Sequence, residues 1–181
     1  GSQCGVKDLT VRASRERVID AVAARIWLQS RSDVRRNAIS LLGWSGGGSA
    51  ILAAVRRDRR PADRQPDFAR AIAFYPGCRT QSESRGFEVR LPVLILMGAA
   101  DDWTPPAPCD FLTKAARARG EPVTLVLYEG AVHDFDHPRL ELKQRDDIAY
   151  SATGNGKATV GTDPAAREDA IRRVKEFLAG K

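Results

Sequence analysis

Short apolar runs and longer amphipathic stretches alternate along the chain. Four runs, residues 38–44, 69–75, 93–97 and 123–128, are apolar at nearly every position. Runs of that kind suit strands buried on both faces, as in a parallel sheet covered by helices. Between them the period lengthens. Ser14 is placed to cap a helix with Glu16 in its first turn, and Val18, Val22 and Ile26 form a stripe ending near Ser30. A last helix is marked by Asp163 as cap, Pro164 in the first turn, a stripe of Ile171, Val174 and Leu178, and Gly180 beyond its end. Weaker helical patterns follow Ser45 and Pro106. Strands alternating with helices of this length predict βαβ crossovers and an α/β fold with a mainly parallel sheet. No internal repeat is present. Residues 137–162, with mixed charge and Gly154-Asn155-Gly156, read as a long surface loop.

Composition narrows the class. A chain of 181 residues, 43% hydrophobic and 29% charged, fits one domain over residues 1–181 and excludes wholesale disorder. The longest apolar runs fall far short of the roughly 20 residues of a membrane helix, so no membrane association is expected. The net charge of +6 invites a nucleic-acid reading. It is rejected because the arginines are dispersed among 23 acidic residues and lack interleaved aromatics. The densest cluster, Arg56, Arg57, Arg59 and Arg60, reads as the solvated end of a helix.

Candidate chemistry begins after the first predicted strand, at Gly43-Trp44-Ser45-Gly46-Gly47. This G-x-S-x-G sequence sits between a strand and a helix, where a serine on a strained turn is exposed as a nucleophile. The flanking glycines are expected to let strand and helix approach, and the Gly46 N–H is placed to donate to an oxyanion. A glycine-rich turn without chemistry has the same pattern, so the remaining residues decide. A serine needs a base, and the base an acid that holds it in one tautomer. Of two histidines, His133 lies five residues after the last predicted strand, in the loop at its carboxyl end, and is preferred to His137. The acid is expected after the third strand, where Gly98-Ala99-Ala100-Asp101-Asp102-Trp103-Thr104-Pro105 offers Asp101 or Asp102. Tyr75 and Trp103, at predicted carboxyl ends of strands, are candidate walls of a substrate pocket.

Together with Gly130-Ala131-Val132-His133-Asp134-Phe135, these segments resemble the dienelactone hydrolase family of the α/β-hydrolase superfamily, from about residue 15 to 178. The resemblance implies an α/β-hydrolase fold, here its carboxyl-terminal catalytic portion. It also implies a Ser-His-Asp triad and an acyl-enzyme, and it favours Asp101 over Asp102 as the acid. Two departures stand out. Dienelactone hydrolases proper use a cysteine where this chain has Ser45, which leaves ester, lactone, acyl and peptide bonds open as substrates. Such domains also begin with about four further strands, one of whose loops supplies the second oxyanion donor. The chain is therefore expected to be incomplete at its amino terminus. The leading expectation is a serine esterase acting on a small-molecule ester or lactone. The alternative is a non-catalytic hydrolase remnant serving as a binding domain.

No metal or other cofactor is expected. The oligomeric state is not legible. Cys78 and Cys109 follow neighbouring strands and are expected at one end of the sheet, where they can pair. A bridge implies a periplasmic or secreted protein, and free thiols imply a cytoplasmic one.

Overall fold

The computed structural model describes residues 10–84, 86–146 and 148–180. In chain order the elements are α1 (Glu16–Gln29), β1 (Leu41–Trp44), α2 (Gly46–Ala54), β2 (Ala71–Phe74), α3 (Arg79–Ser82) and β3 (Val93–Gly98). There follow α4 (Pro106–Ala118), β4 (Val123–Tyr128), β5 (Lys143–Arg145), β6 (Ala158–Val160) and α5 (Pro164–Ala179). Strands β1 to β4 form one parallel sheet in that order, with Gly43 opposite Ala73, Ala73 opposite Ile95 and Ile95 opposite Leu125. Because every pair is parallel, the turns that follow the four strands lie at one end of the sheet. This is the mainly parallel, helix-flanked α/β-hydrolase architecture.

The strand period of two divides the core. Ala71, Ala73, Val93, Ile95 and Met97 pack with Ile51 and Leu52 of α2 and Leu112 and Ala116 of α4. Ile72, Phe74, Leu94 and Leu96 face the other way, onto Ala166 and Ala170 of α5. Strands β2 and β3 are therefore buried at every position, as their sequences suggest. The outer strands differ. Leu42, Trp44 and Leu127 are each more than two-fifths exposed, because β1 and β4 each pair on one side only among the described residues. Strand β1 also starts at Leu41 rather than at residue 38.

Both long amphipathic helices are rotated from the expected stripes. In α1 the buried residues are Val18, Arg25 and Gln29, and Ile26 is exposed. Arg25 is accommodated because its guanidinium donates to the Pro66 carbonyl at 2.8 Å, pairs with Asp63 and lies over the Phe68 ring. Ser14 does not cap this helix; its carbonyl accepts from Arg59. In α5, Ala166 and Ala170 are buried with Val174 and Phe177 packed beside them, while Ile171 and Leu178 lie on the outer face. Its ends match expectation, with Asp163 accepting from the Ala166 N–H and Gly180 at a φ of +79°.

Two further segments depart from the expectations for them. After α2 ends at Ala54, Arg57–Arg59 form a single 3-10 turn, so the arginine cluster is no helix end. Arg56 is largely buried, donating to Asp58 and Ser84. Within 137–162, β5 and β6 pair antiparallel, and Val160 forms a parallel bridge to His133. No helix among the described residues is long and apolar enough to cross a membrane.

Candidate active site

The turn from β1 into α2 carries Ser45 at φ +49° and ψ −118°, a conformation that costs on the order of 1–3 kcal/mol for a residue with a side chain. The glycines around it are not equivalent. A Cβ at Gly43 would come 2.9 Å from the Gly47 carbonyl carbon, and one at Gly48 would come 3.0 Å from the Phe74 carbonyl oxygen. A Cβ at Gly47 would meet nothing within 4 Å. Close approach of strand and helix thus requires Gly43 and Gly48, and the expected role of Gly47 as a spacer does not hold. Gly46 is the first residue of α2, with its amide at the positive end of the helix.

The turns after β1, β3 and β4 bring three side chains together across the end of the sheet. His133 Nε2 is 3.1 Å from Ser45 Oγ, and His133 Nδ1 is 2.8 Å from Asp101 Oδ2. His133 and Asp101 are buried, at 1% and 3% exposure, so their contact is shielded from bulk solvent. Asp101 Oδ1 accepts two backbone bonds, from the Trp103 N–H at 2.9 Å and the Thr104 N–H at 2.8 Å. Gly98, at the end of β3, makes the acid turn possible. A Cβ there would overlap the Ala131 carbonyl, which also accepts from the Ala100 N–H at 3.0 Å.

The competing candidates lie elsewhere. Asp102 accepts from the amide and hydroxyl of Thr159, at 2.7 and 2.8 Å. His137 is exposed and its Nδ1 accepts from the Arg139 N–H.

Aromatic rings enclose the histidine. The Tyr75 ring centroid is 4.4 Å from that of His133, and the Trp103 centroid is 4.7 Å away. Tyr75 is only 3% exposed, and its hydroxyl donates to Asp136 at 2.7 Å. Burial, then the Asp136 carboxylate, pushes the Tyr75 phenol well above its ordinary range, so it stays protonated as a donor. Trp44 Nε1 donates to the other Asp136 oxygen, also at 2.7 Å. Asp136 thereby joins the ends of β1 and β2 to the histidine loop. Ser45, Tyr75 and Asp134 are three of the four described non-glycine residues with positive φ, so backbone strain gathers at this end of the sheet.

Asp136 and Thr104 are the site residues that the sequence reading missed. Thr104 stands three residues after the acid in an Asp-Asp-Trp-Thr turn, a spacing at which side chains commonly bond back to the chain. Asp136 carries no comparable local signal.

The family model for the dienelactone hydrolase family matches residues 5–180. The chain belongs to this family. No curated protein sequence matches it. Among solved structures, this dienelactone hydrolase family member is similar to the apo form of Thermogutta terrifontis esterase 2, with 20% identity and a TM-score of 0.67 over 95% of this chain. The same esterase phosphorylated by paraoxon gives 19% identity and a TM-score of 0.65, again over 95% of this chain. A Mycobacterium tuberculosis puromycin-hydrolyzing peptidase gives 22% identity and a TM-score of 0.54 over 68% of this chain. The chain spans 67% and 65% of the two esterase chains and 23% of the peptidase chain. At these identities the likeness is one of fold.

Cys78, at the start of α3, and Cys109, in the first turn of α4, form a disulfide, as their places after neighbouring strands suggest. It ties the turn after β2 to the helix that follows the acid loop.

Proposed function

We propose that the chain is a serine hydrolase that cleaves small-molecule carboxylic esters or lactones through an acyl-enzyme. The observation that carries this reading is the continuous hydrogen-bonded line from Ser45 Oγ through His133 to Asp101, set on a strained turn at the amino end of α2. His133 Nε2 takes the hydroxyl proton as Ser45 Oγ attacks the acyl carbon, and Asp101 stabilises the imidazolium through its Nδ1–H. The Gly46 N–H donates to the oxyanion, and one such donor is worth about 10²–10³ in rate. Collapse of the tetrahedral adduct breaks the bond to the leaving alkoxide, which takes the proton from Nε2. Water then repeats the sequence, so that ester and water become acid and alcohol. The half-buried Trp103 is the aromatic wall of the substrate site. Tyr75, nearly inaccessible and tethered to Asp136, acts as support for His133 rather than as a substrate contact.

Membership of the dienelactone hydrolase family and the esterase neighbours support this reaction class. The disulfide supports an oxidising compartment, periplasmic or extracellular, because such bonds persist there and are rare in the cytosol. Treatment with a fluorophosphonate or paraoxon, followed by peptide mass spectrometry, tests the nucleophile. The adduct is expected on Ser45 and absent from Ser45→Ala. Equal modification of both proteins would overturn the assignment. Hydrolysis of p-nitrophenyl acetate, lost in the same variant, tests turnover.

A further inference from the structure

The hydroxyl of Thr104 stands where three groups of the site converge. Thr104 Oγ1 is 3.0 Å from Asp101 Oδ2, 3.2 Å from His133 Nδ1 and 3.1 Å from the Tyr75 carbonyl oxygen. A hydroxyl has one proton and two lone pairs. The carbonyl and the ionised carboxylate only accept, so that proton goes to one of them and a lone pair remains for the imidazole edge. Asp101 Oδ2 approaches the same nitrogen at 2.8 Å. Two oxygens therefore converge on Nδ1, and neither is a donor to it. The backbone of Thr104 contributes as well, since its N–H donates to Asp101 Oδ1 at 2.8 Å.

A neutral imidazole has two tautomers and can also turn over about its Cβ–Cγ bond, and only one arrangement leaves Nε2 unprotonated toward Ser45. Paired acceptors at Nδ1 favour an N–H there. The alternatives put a lone pair or a C–H against two oxygens at a contact buried from solvent. The geometry points to Thr104 as a positioning residue: its hydroxyl and amide orient the Asp101 carboxylate and hold the His133 proton on Nδ1, which leaves Nε2 free as the base. This inference rests on the proposed Ser45–His133–Asp101 reading and adds to it a side chain that touches no substrate.

The test uses the whole chain with ¹⁵N-labelled histidine and records two-bond ¹H–¹⁵N correlations of His133 at mildly alkaline pH. The wild type and Thr104→Ser are expected to hold the proton on Nδ1. Thr104→Val, which keeps the shape and removes the hydroxyl, is expected to show a mixture of tautomers. Thr104→Ala carries the same expectation if the valine variant does not fold. In turnover, Thr104→Val is expected to lower kcat about three- to tenfold, the rate equivalent of one hydrogen bond, with KM little changed and Thr104→Ser restoring the rate. A valine variant that keeps the proton on Nδ1 and the wild-type kcat would overturn the inference. Failure of the triad reading is separately visible, because turnover would then survive in Ser45→Ala whatever the tautomer of His133.

Discussion

Asp102 binds Thr159 through both carboxylate oxygens, at 2.7 Å to the amide and 2.8 Å to the hydroxyl, while the preceding Asp101 is the residue that meets His133. Two adjacent acids thus serve different ends of the same region. Asp101 addresses the histidine ring, and Asp102 anchors β6, whose Val160 bridges to the histidine backbone.

The division predicts unequal effects. Asp101→Asn removes the acceptor that fixes the Nδ1–H tautomer and should lower kcat by about 10⁴, with the fold intact. Asp102→Asn should retain most of the turnover and instead speed amide exchange at Gly161, whose N–H donates to the His133 carbonyl at 3.1 Å. Steady-state hydrolysis with hydrogen-exchange measurements separates the two. Equal loss of kcat in both variants would contradict the assignment.

The glycines of the elbow should differ in tolerance. Gly43→Ala forces a Cβ to 2.9 Å from the Gly47 backbone and should cost about 1–3 kcal/mol as overpacking. Gly47→Ala meets open space inside a helix and should be neutral or stabilising by roughly 0.5–1 kcal/mol. Urea unfolding of the two variants provides the comparison, and the order Gly43→Ala below wild type below Gly47→Ala is the expected one.

Alkylation followed by mass measurement should modify one cysteine without reductant and all three after reduction and unfolding, since Cys78 and Cys109 are paired. The bridge closes a span of 31 residues, for which the chain-entropy argument gives about 3–4 kcal/mol. Reductant should therefore lower the thermal midpoint by several degrees. Three modified thiols in the unreduced protein would remove the bridge and, with it, the support for an oxidising compartment.

Acid should weaken the docking of α5. The Arg173 guanidinium, together with Arg172 and the Tyr128 hydroxyl, holds the Asp169 carboxyl down at about 2. Its pKa in the unfolded chain is about 3.9, so the stabilisation is full above that value and is lost as pH falls toward 2. Partial exposure and salt screening keep the effect modest. Denaturant unfolding at near-neutral pH and at about pH 3 should show a smaller acid-induced loss in Asp169→Asn than in the wild type.

Much of the site was legible locally. Gly43-Trp44-Ser45-Gly46-Gly47 between a strand and a helix marks the elbow, because a serine forced to positive φ needs small neighbours wherever backbones touch. Which glycine meets that need was not legible, since the contact at Gly48 is made by Phe74 and Pro76 of the next strand and its turn. For Thr104 only the bond back to its own turn had a local signal. Its role depends on Tyr75 and His133, which lie 29 residues away on either side.

From its sequence alone, this protein is an alternation of buried strands and amphipathic helices, with a serine, an acid and a histidine after the first, third and fourth strands. Period and turn chemistry are properties of neighbouring residues, and a parallel sheet necessarily carries those turns to one end. The tertiary structure decided the choices that depend on distance through space: Asp101 rather than Asp102 beside His133, His133 rather than His137 beside Ser45, and Asp136 between Trp44 and Tyr75. It also decided which faces of α1 and α5 point inward, with Arg25 buried and Ile26 exposed. A hydrophobic stripe says that one face of a helix is covered, but hydrogen-bond partners supplied by distant loops determine which polar side chain is buried with it.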